Sequence, residues 1–175
     1  MSRFPLEITA QISKAVENGM SLITYFHSGV LSVDRRMCEL TSVHGQVDDF
    51  WNYAGTTRTY LLTEEGRRIL VGMPAEFQIL ATNHIRFTLG KEMEVLAYEK
   101  ESGLPVVTRK KHGDGFVYWC ASGNKNMNVG RYNIHAKVGE LMVWGKTLEE
   151  SAPLPWLDDP GWNMLLTALI QITTR

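Results

Sequence analysis

Cysteine is scarce in this chain: Cys38 and Cys120 are the only two in 175 residues, far apart and with no CxxC or CxxH neighbour. That excludes a disulfide-stapled scaffold or a zinc knuckle and points to free thiols in a reducing compartment. An excess of one charge is also missing, since 18 basic against 19 acidic residues leave a net charge of -1. Such a surface offers no electrostatic footprint for a phosphate backbone or an anionic bilayer, so neither nucleic acid nor membrane is an expected partner. No apolar run approaches the roughly 18 to 20 residues that span a bilayer, and the opening residues lack the apolar stretch of a secretory signal. A cytoplasmic protein is the expectation. The five histidines, His27, His44, His84, His112 and His135, show no HxH, HxxxH or HExxH spacing, so no metal is expected. Gly113 and Gly115 join two β runs and aim no helix N-terminus at a phosphate, so no cofactor is expected either.

What is present is a β pattern. Three apolar-rich runs, residues 93–99, 104–110 and 116–121, are joined by Lys100-Glu101-Ser102-Gly103 and His112-Gly113-Asp114-Gly115. They read as an antiparallel three-strand meander, with Asp114-Gly115 as a type I′ hairpin turn. Further strands are expected at 21–26, 68–73, 77–81 and 85–89. The first is nearly all apolar, as suits a strand covered on both faces. Ile8, Ile12, Ala15 and Val16 share one face of a helix that starts near Thr9 and stops at Asn18-Gly19. A short helix can run from Asp34 to Val43, and a final one opens with Asp159 as N-cap and Pro160 at its first position. That last helix carries Trp162, Leu165, Leu166, Leu169 and Ile170. Residues 44–65 read as irregular or as short strands, 122–133 as a loop and 135–144 as a helix. The length fits one domain, 1–175.

Two stretches resemble a known family. Residues 15–29, Ala-Val-Glu-Asn-Gly-Met-Ser-Leu-Ile-Thr-Tyr-Phe-His-Ser-Gly, are similar to a helix ending in V-E-N-G-G followed by a strand and a Ser-Gly turn. Residues 103–118, Gly-Leu-Pro-Val-Val-Thr-Arg-Lys-Lys-His-Gly-Asp-Gly-Phe-Val-Tyr, are similar to a G-x-P-A-V-T-R hairpin. Together they resemble the class I glutamine-amidotransferase-like domain, most closely the trimerisation domain that follows the catalytic barrel of family 42 β-galactosidases. The resemblance implies an α/β fold: part of a three-layer, flavodoxin-like sheet, with the antiparallel meander in the C-terminal half. It also implies that the usual first βα units are lacking, so that strand 21–26 has a neighbour in the family that this chain does not contain. An open strand of that kind is an association hazard. A homo-oligomer or a partner chain is therefore expected, with a glycoside hydrolase catalytic domain as one such partner.

Chemistry has weaker signals. The family's barrel carries the two glutamates of glycoside hydrolysis, and the barrel is not here. Glu64-Glu65, Glu149-Glu150, Asp48-Asp49 and Asp158-Asp159 read as solvated pairs. Neither cysteine has the glycine-flanked elbow of a thiol nucleophile; Cys38 reads as half-buried and Cys120 as facing a sheet interior. No catalytic residue is assigned. His27, at the end of a parallel strand, and Trp51, Trp144 and Trp156 are the candidate interface or ligand contacts. The leading reading is a non-catalytic oligomerisation or accessory domain linked to carbohydrate metabolism. A carbohydrate-binding accessory protein that uses its tryptophans, or a divergent amidotransferase-like hydrolase that uses Cys38 or Cys120, are the alternatives.

Overall fold

The computed structural model describes residues 6–25, 35–45, 56–82, 87–121 and 160–173. Helix α1 (Leu6–Glu17) leads into strand β1 (Ser21–Tyr25), followed by α2 (Arg35–Thr41), β2 (Val43–Gly45) and β3 (Thr56–Leu62). Then come α3 (Glu64–Ile69), β4 (Glu76–Thr82), β5 (Phe87–Leu89), β6 (Glu94–Glu99), β7 (Pro105–His112), β8 (Gly115–Cys120) and α4 (Pro160–Thr173). Six strands form one sheet in the order β1-β8-β7-β6-β3-β4, and β2 pairs with β5 in a small second sheet. β1 runs parallel to β8, from Ser21 opposite Phe116 to Tyr25 opposite Cys120; the other described pairings are antiparallel.

The expected meander is β6, β7 and β8. Its second turn differs by one residue from expectation. His112 pairs with Gly115, so Gly113 and Asp114 are the two central residues. Only Gly113 has a positive φ, 61°. Glycine at the first central position is the type II′ pattern rather than I′. The cause is tertiary: a Cβ on Gly115 would stand 2.1 Å from the Met20 carbonyl oxygen and 2.3 Å from that of Val16, and one on Gly113 would lie 2.6 Å from Glu17 Cα. The end of α1 rests on this turn, and no side chain fits between them.

α1 begins earlier than expected but ends where Asn18-Gly19 predicts. Gly19 N–H donates to the Val16 carbonyl and Met20 N–H to that of Ala15, each at 3.0 Å, the two bonds of a Schellman motif. Residues 68–73, expected as a strand, instead finish α3 and its following turn. Thr63 caps that helix, its hydroxyl accepting from Gly66 N–H at 2.9 Å, with acidic Glu64 and Glu65 in the first turn and basic Arg67 and Arg68 in the last. These charges complement the helix dipole and outweigh the local β propensity of Ile69-Leu70-Val71. The 44–65 stretch, expected to be irregular or short strands, contains the seven-residue β3, whose Tyr60 is fully buried.

The main core gathers Tyr60, Leu96, Val106, Trp119, Leu165 and Leu169, each worth roughly 1.5–3 kcal/mol of burial. Phe87 of β5 meets Trp119 edge-on, ring centroids 4.4 Å apart. α4 buries Trp162, Leu165, Ala168 and Leu169, whereas Leu166 is half-buried and Ile170 exposed, so its inward row is shifted from the expected one. A second cluster, Val16, Met37, Leu40 and Val117, fixes α1 and α2 to one face of β8.

Candidate functional site

Alternation along β7 puts Lys110 and His112 on the face that carries α1 and α2, and each grips one helix. His112 Nε2 lies 3.0 Å from Ser13 Oγ and 3.3 Å from Glu17 Oε1, both on α1. These residues, with Thr9, Ala10, Lys14, Glu39 and Leu40, line a groove of about 490 Å³. Ser, His and Glu together invite comparison with a catalytic triad. The geometry argues otherwise: in a triad the serine and the carboxylate occupy opposite ring nitrogens, whereas here both approach Nε2. One nitrogen cannot take the serine proton while donating to the glutamate, so the trio fastens α1 to the hairpin.

Lys110 makes the second grip. Its Nζ donates to Ser42 Oγ at 2.5 Å and to the Glu39 carbonyl at 3.0 Å, and it pairs with Glu92 Oε1 at 3.2 Å. Ser42 Oγ in turn donates to Glu92 Oε1 at 2.5 Å. Ser42 sits just past α2 with φ 54°, the left-handed conformation that often ends a helix. The Ser42 hydroxyl first, then the Glu92 backbone and Lys110, pull the Glu92 carboxyl down to about 2. With its Nζ committed to three acceptors on neighbouring segments, Lys110 has a structural task. Ser42 and Lys110 are thus a latch among α2, the turn before β6, and β7, and the sequence analysis missed it because the three segments meet only in the fold.

On another part of the sheet Arg109 pairs with Glu94 at 2.5 Å and with Glu65 at 3.2 Å, and its guanidinium lies 4.7 Å from the Phe116 ring centroid. Glu65 also takes Arg68 at 2.5 Å, and that bond first, with both arginine charges, lowers its pKa. The expected solvated Glu64-Glu65 pair is therefore split: Glu64 is exposed and Glu65 joins a four-residue network.

Both cysteines are fully buried, which corrects the half-buried reading of Cys38 and agrees with the interior placement of Cys120. Burial pushes the Cys120 thiol up to about 12, the reverse of what a nucleophile needs. His27, Trp51, Trp144 and Trp156 lie outside the described residues, so the expected contacts are neither brought together nor separated here. The two described tryptophans, Trp119 and Trp162, are buried. Among the described residues no helix is long and apolar enough to cross a membrane.

The remaining feature is the outer side of β1. Among the described residues β1 and β4 are the terminal strands of the large sheet. β4 exposes Glu76 and Gln78, and Glu76 pairs with Lys100 at 2.8 Å. β1, Ser-Leu-Ile-Thr-Tyr, carries no charge. Natural sheets guard free edges with charge, proline or bulges, and β1 has none of these.

Mixed strands with helices on the sheet and one parallel strand at its end define a partial flavodoxin-like α/β fold. Solved structures share it. A protein described as ThuA-like, from Bacteroides uniformis ATCC 8492, matches with TM-score 0.62 at 13% identity, covering 99% of this chain and 66% of that one. A second ThuA-like protein, from Parabacteroides merdae ATCC 43184, matches with TM-score 0.54 at 11% identity, covering 69% and 56%. The β-galactosidase of Bacillus circulans sp. alkalophilus matches with TM-score 0.52 at 17% identity, covering 83% of this chain. The chain spans 22% of that β-galactosidase. At these identities the likeness is one of fold. No family model and no curated protein matches the chain.

Proposed function

We propose that this chain is a non-catalytic self-association module of the accessory kind, acting by surface burial rather than by bond chemistry, in a cytoplasmic setting and alongside a β-galactosidase-type glycoside hydrolase. One observation carries the reading: β1 closes the described sheet as an uncharged parallel strand, while the opposite edge is charged. The likeness to part of a β-galactosidase supports the accessory setting. The deeply buried thiols speak against a cysteine hydrolase, and the Ser13, His112 and Glu17 geometry against a serine one. In this reading His27, Trp51, Trp144 and Trp156 serve an interface, where aromatic anchors concentrate binding energy.

Light scattering and native mass measurement across a wide concentration range test the proposal. A mass of two or more chains is expected. A strict monomer at the highest soluble concentration sinks it.

A further inference from the structure

Asn18-Gly19 ends α1, and no other asparagine in the chain precedes a glycine. The pair carries a reaction of its own. Glycine leaves its amide nitrogen unhindered, so that nitrogen can reach the carbonyl carbon of the asparagine side chain before it and close a succinimide ring. Both residues are exposed to water, and nothing lies within 4 Å of the place a Cβ on Gly19 would take. In the folded protein the nucleophile is occupied. Gly19 N–H donates to the Val16 carbonyl at 3.0 Å, and the Schellman motif holds Gly19 at φ 102°. A nitrogen whose proton is bound in this way neither loses it readily nor swings toward the preceding side chain. The gate is only as firm as the helix end. That end rests on the hairpin turn between β7 and β8, and Ser13 and Glu17 hold it to His112. Helix ends open locally at far lower cost than the whole fold.

We propose that Asn18 is a latent modification site, closed while α1 is docked on the hairpin and deamidated when the helix end is released. The Gly19 amide nitrogen gives its proton to solvent base and attacks Asn18 Cγ. An N–Cγ bond forms, the Cγ–Nδ2 bond breaks and ammonia leaves. Water then opens the succinimide. Attack at Cγ gives aspartate, and attack at the main-chain carbonyl carbon of residue 18 gives isoaspartate, whose chain continues through the former side chain. Nothing is oxidised or reduced. Isoaspartate inserts a methylene into the backbone between Val16 and Met20, whose carbonyl oxygens would stand 2.3 and 2.1 Å from a Cβ on Gly115. Spacing that tight does not survive an extra backbone atom, so the helix end cannot redock as before. Either product also adds negative charge beside Glu17 at the negative end of the helix dipole, against which Lys14, one turn earlier, is the opposing charge. Opening permits the reaction, and the reaction keeps the end open.

Ageing the full chain in mildly alkaline buffer tests this, read by mass-spectrometric peptide mapping and isoaspartate-specific methylation. Conversion at Asn18 is expected to run roughly tenfold or more slower in the folded parent than in a free peptide of residues 14–24, and to speed up roughly tenfold or more in Gly115→Ala, which pushes α1 off the turn. Gly103→Ala strains the turn at the far end of β7 and is expected to leave the parent rate unchanged. Should Gly115→Ala not fold, His112→Ala, which frees Ser13 and Glu17, takes its place with the same expected direction. In the aged parent, converted molecules should exchange their α1 amides faster than unconverted ones. A parent rate equal to that of the peptide overturns the gate. Equal acceleration in Gly103→Ala assigns the reaction to global unfolding and overturns release of the helix end. No conversion in the released variants, under conditions that convert the peptide, removes the site, and unchanged α1 exchange after conversion overturns its effect on docking.

Discussion

Asp114 N–H donates to the Glu17 carbonyl at 3.0 Å, so the tip of a hairpin late in the chain caps the end of its first helix. Without that bond the Glu17 carbonyl, one of the last four in α1, would have no partner within the helix. The two glycines on either side of Asp114 let the backbones approach closely enough to form it.

Gly115→Ala is therefore expected to destabilise the protein by about 3 kcal/mol or more, because backbone on both sides leaves the methyl nowhere to go. Gly103→Ala makes the control, having positive φ, 69°, but open space around it. There the left-handed conformation alone should cost about 1–2 kcal/mol. Urea unfolding of the two variants decides; equal losses would contradict the close contact.

Acid should dissolve the latch at Ser42. The Glu92 carboxyl is depressed in the folded protein from 4.5 to about 2, chiefly by the Ser42 hydroxyl. A depressed carboxylate stabilises the fold fully above its unfolded value, and the contribution is lost as pH falls from about 4.5 toward 2. Glu92 is 53% exposed, so screening holds this contribution to about 1 kcal/mol or less. The stability gap between the parent and Glu92→Gln should be open at pH 6 and nearly closed at pH 2.5. A gap that does not change with pH would refute the assignment.

Glu99 is fully buried and pairs with Arg58, itself 17% exposed, at 3.1 Å, while the Ser102 hydroxyl donates to its other oxygen. Replacing Arg58 by Met strands a buried carboxylate and is expected to cost about 3–5 kcal/mol. Arg58→Met combined with Glu99→Leu should recover much of that loss. A double-mutant cycle in urea reads the coupling, and purely additive losses would show the pair to be independent.

Neither thiol should react in the native state. Cys38 and Cys120 have no exposed surface, and burial holds the Cys120 thiol near 12. Labelling by a thiol-reactive disulfide at neutral pH should follow the rate of unfolding and speed up in step with added urea. Fast labelling without denaturant would reopen the case for cysteine chemistry.

The meander was legible because its apolar runs alternate and its turns are short and rich in glycine. The stop of α1 was legible in Asn18-Gly19, and the start of α4 in Pro160. α3 was misread although its signal was present: Thr63-Glu64-Glu65 ahead of Arg67-Arg68 is a helix start and end, outvoted by the β-prone Ile69-Leu70-Val71 behind it. β3 was legible only as one of two alternatives, irregular structure or short strands, because polar threonines and Arg58 hide a strand whose burial at Tyr60 is set by β6 and β4. The hairpin turn was placed one residue late because the contact that fixes it lies nearly a hundred positions earlier. The Ser42, Glu92 and Lys110 latch left no local pattern at all, being made by three segments that only the sheet brings together. His27, Trp51, Trp144 and Trp156 fall outside the described residues.

Thr24 Oγ1 donates to the Tyr118 carbonyl at 3.3 Å across 94 positions of sequence. The β6–β8 meander closes short turns, whereas the β1–β8 pairing must first close one very long loop. On loop-closure cost alone the late hairpins are expected to form before the amino-terminal strand docks on them, which pulse-labelled hydrogen exchange would show as protection of β6–β8 ahead of β1. The strand on which the self-association proposal rests is thus also the one whose place in its own sheet depends on closing the longest loop among the described pairings.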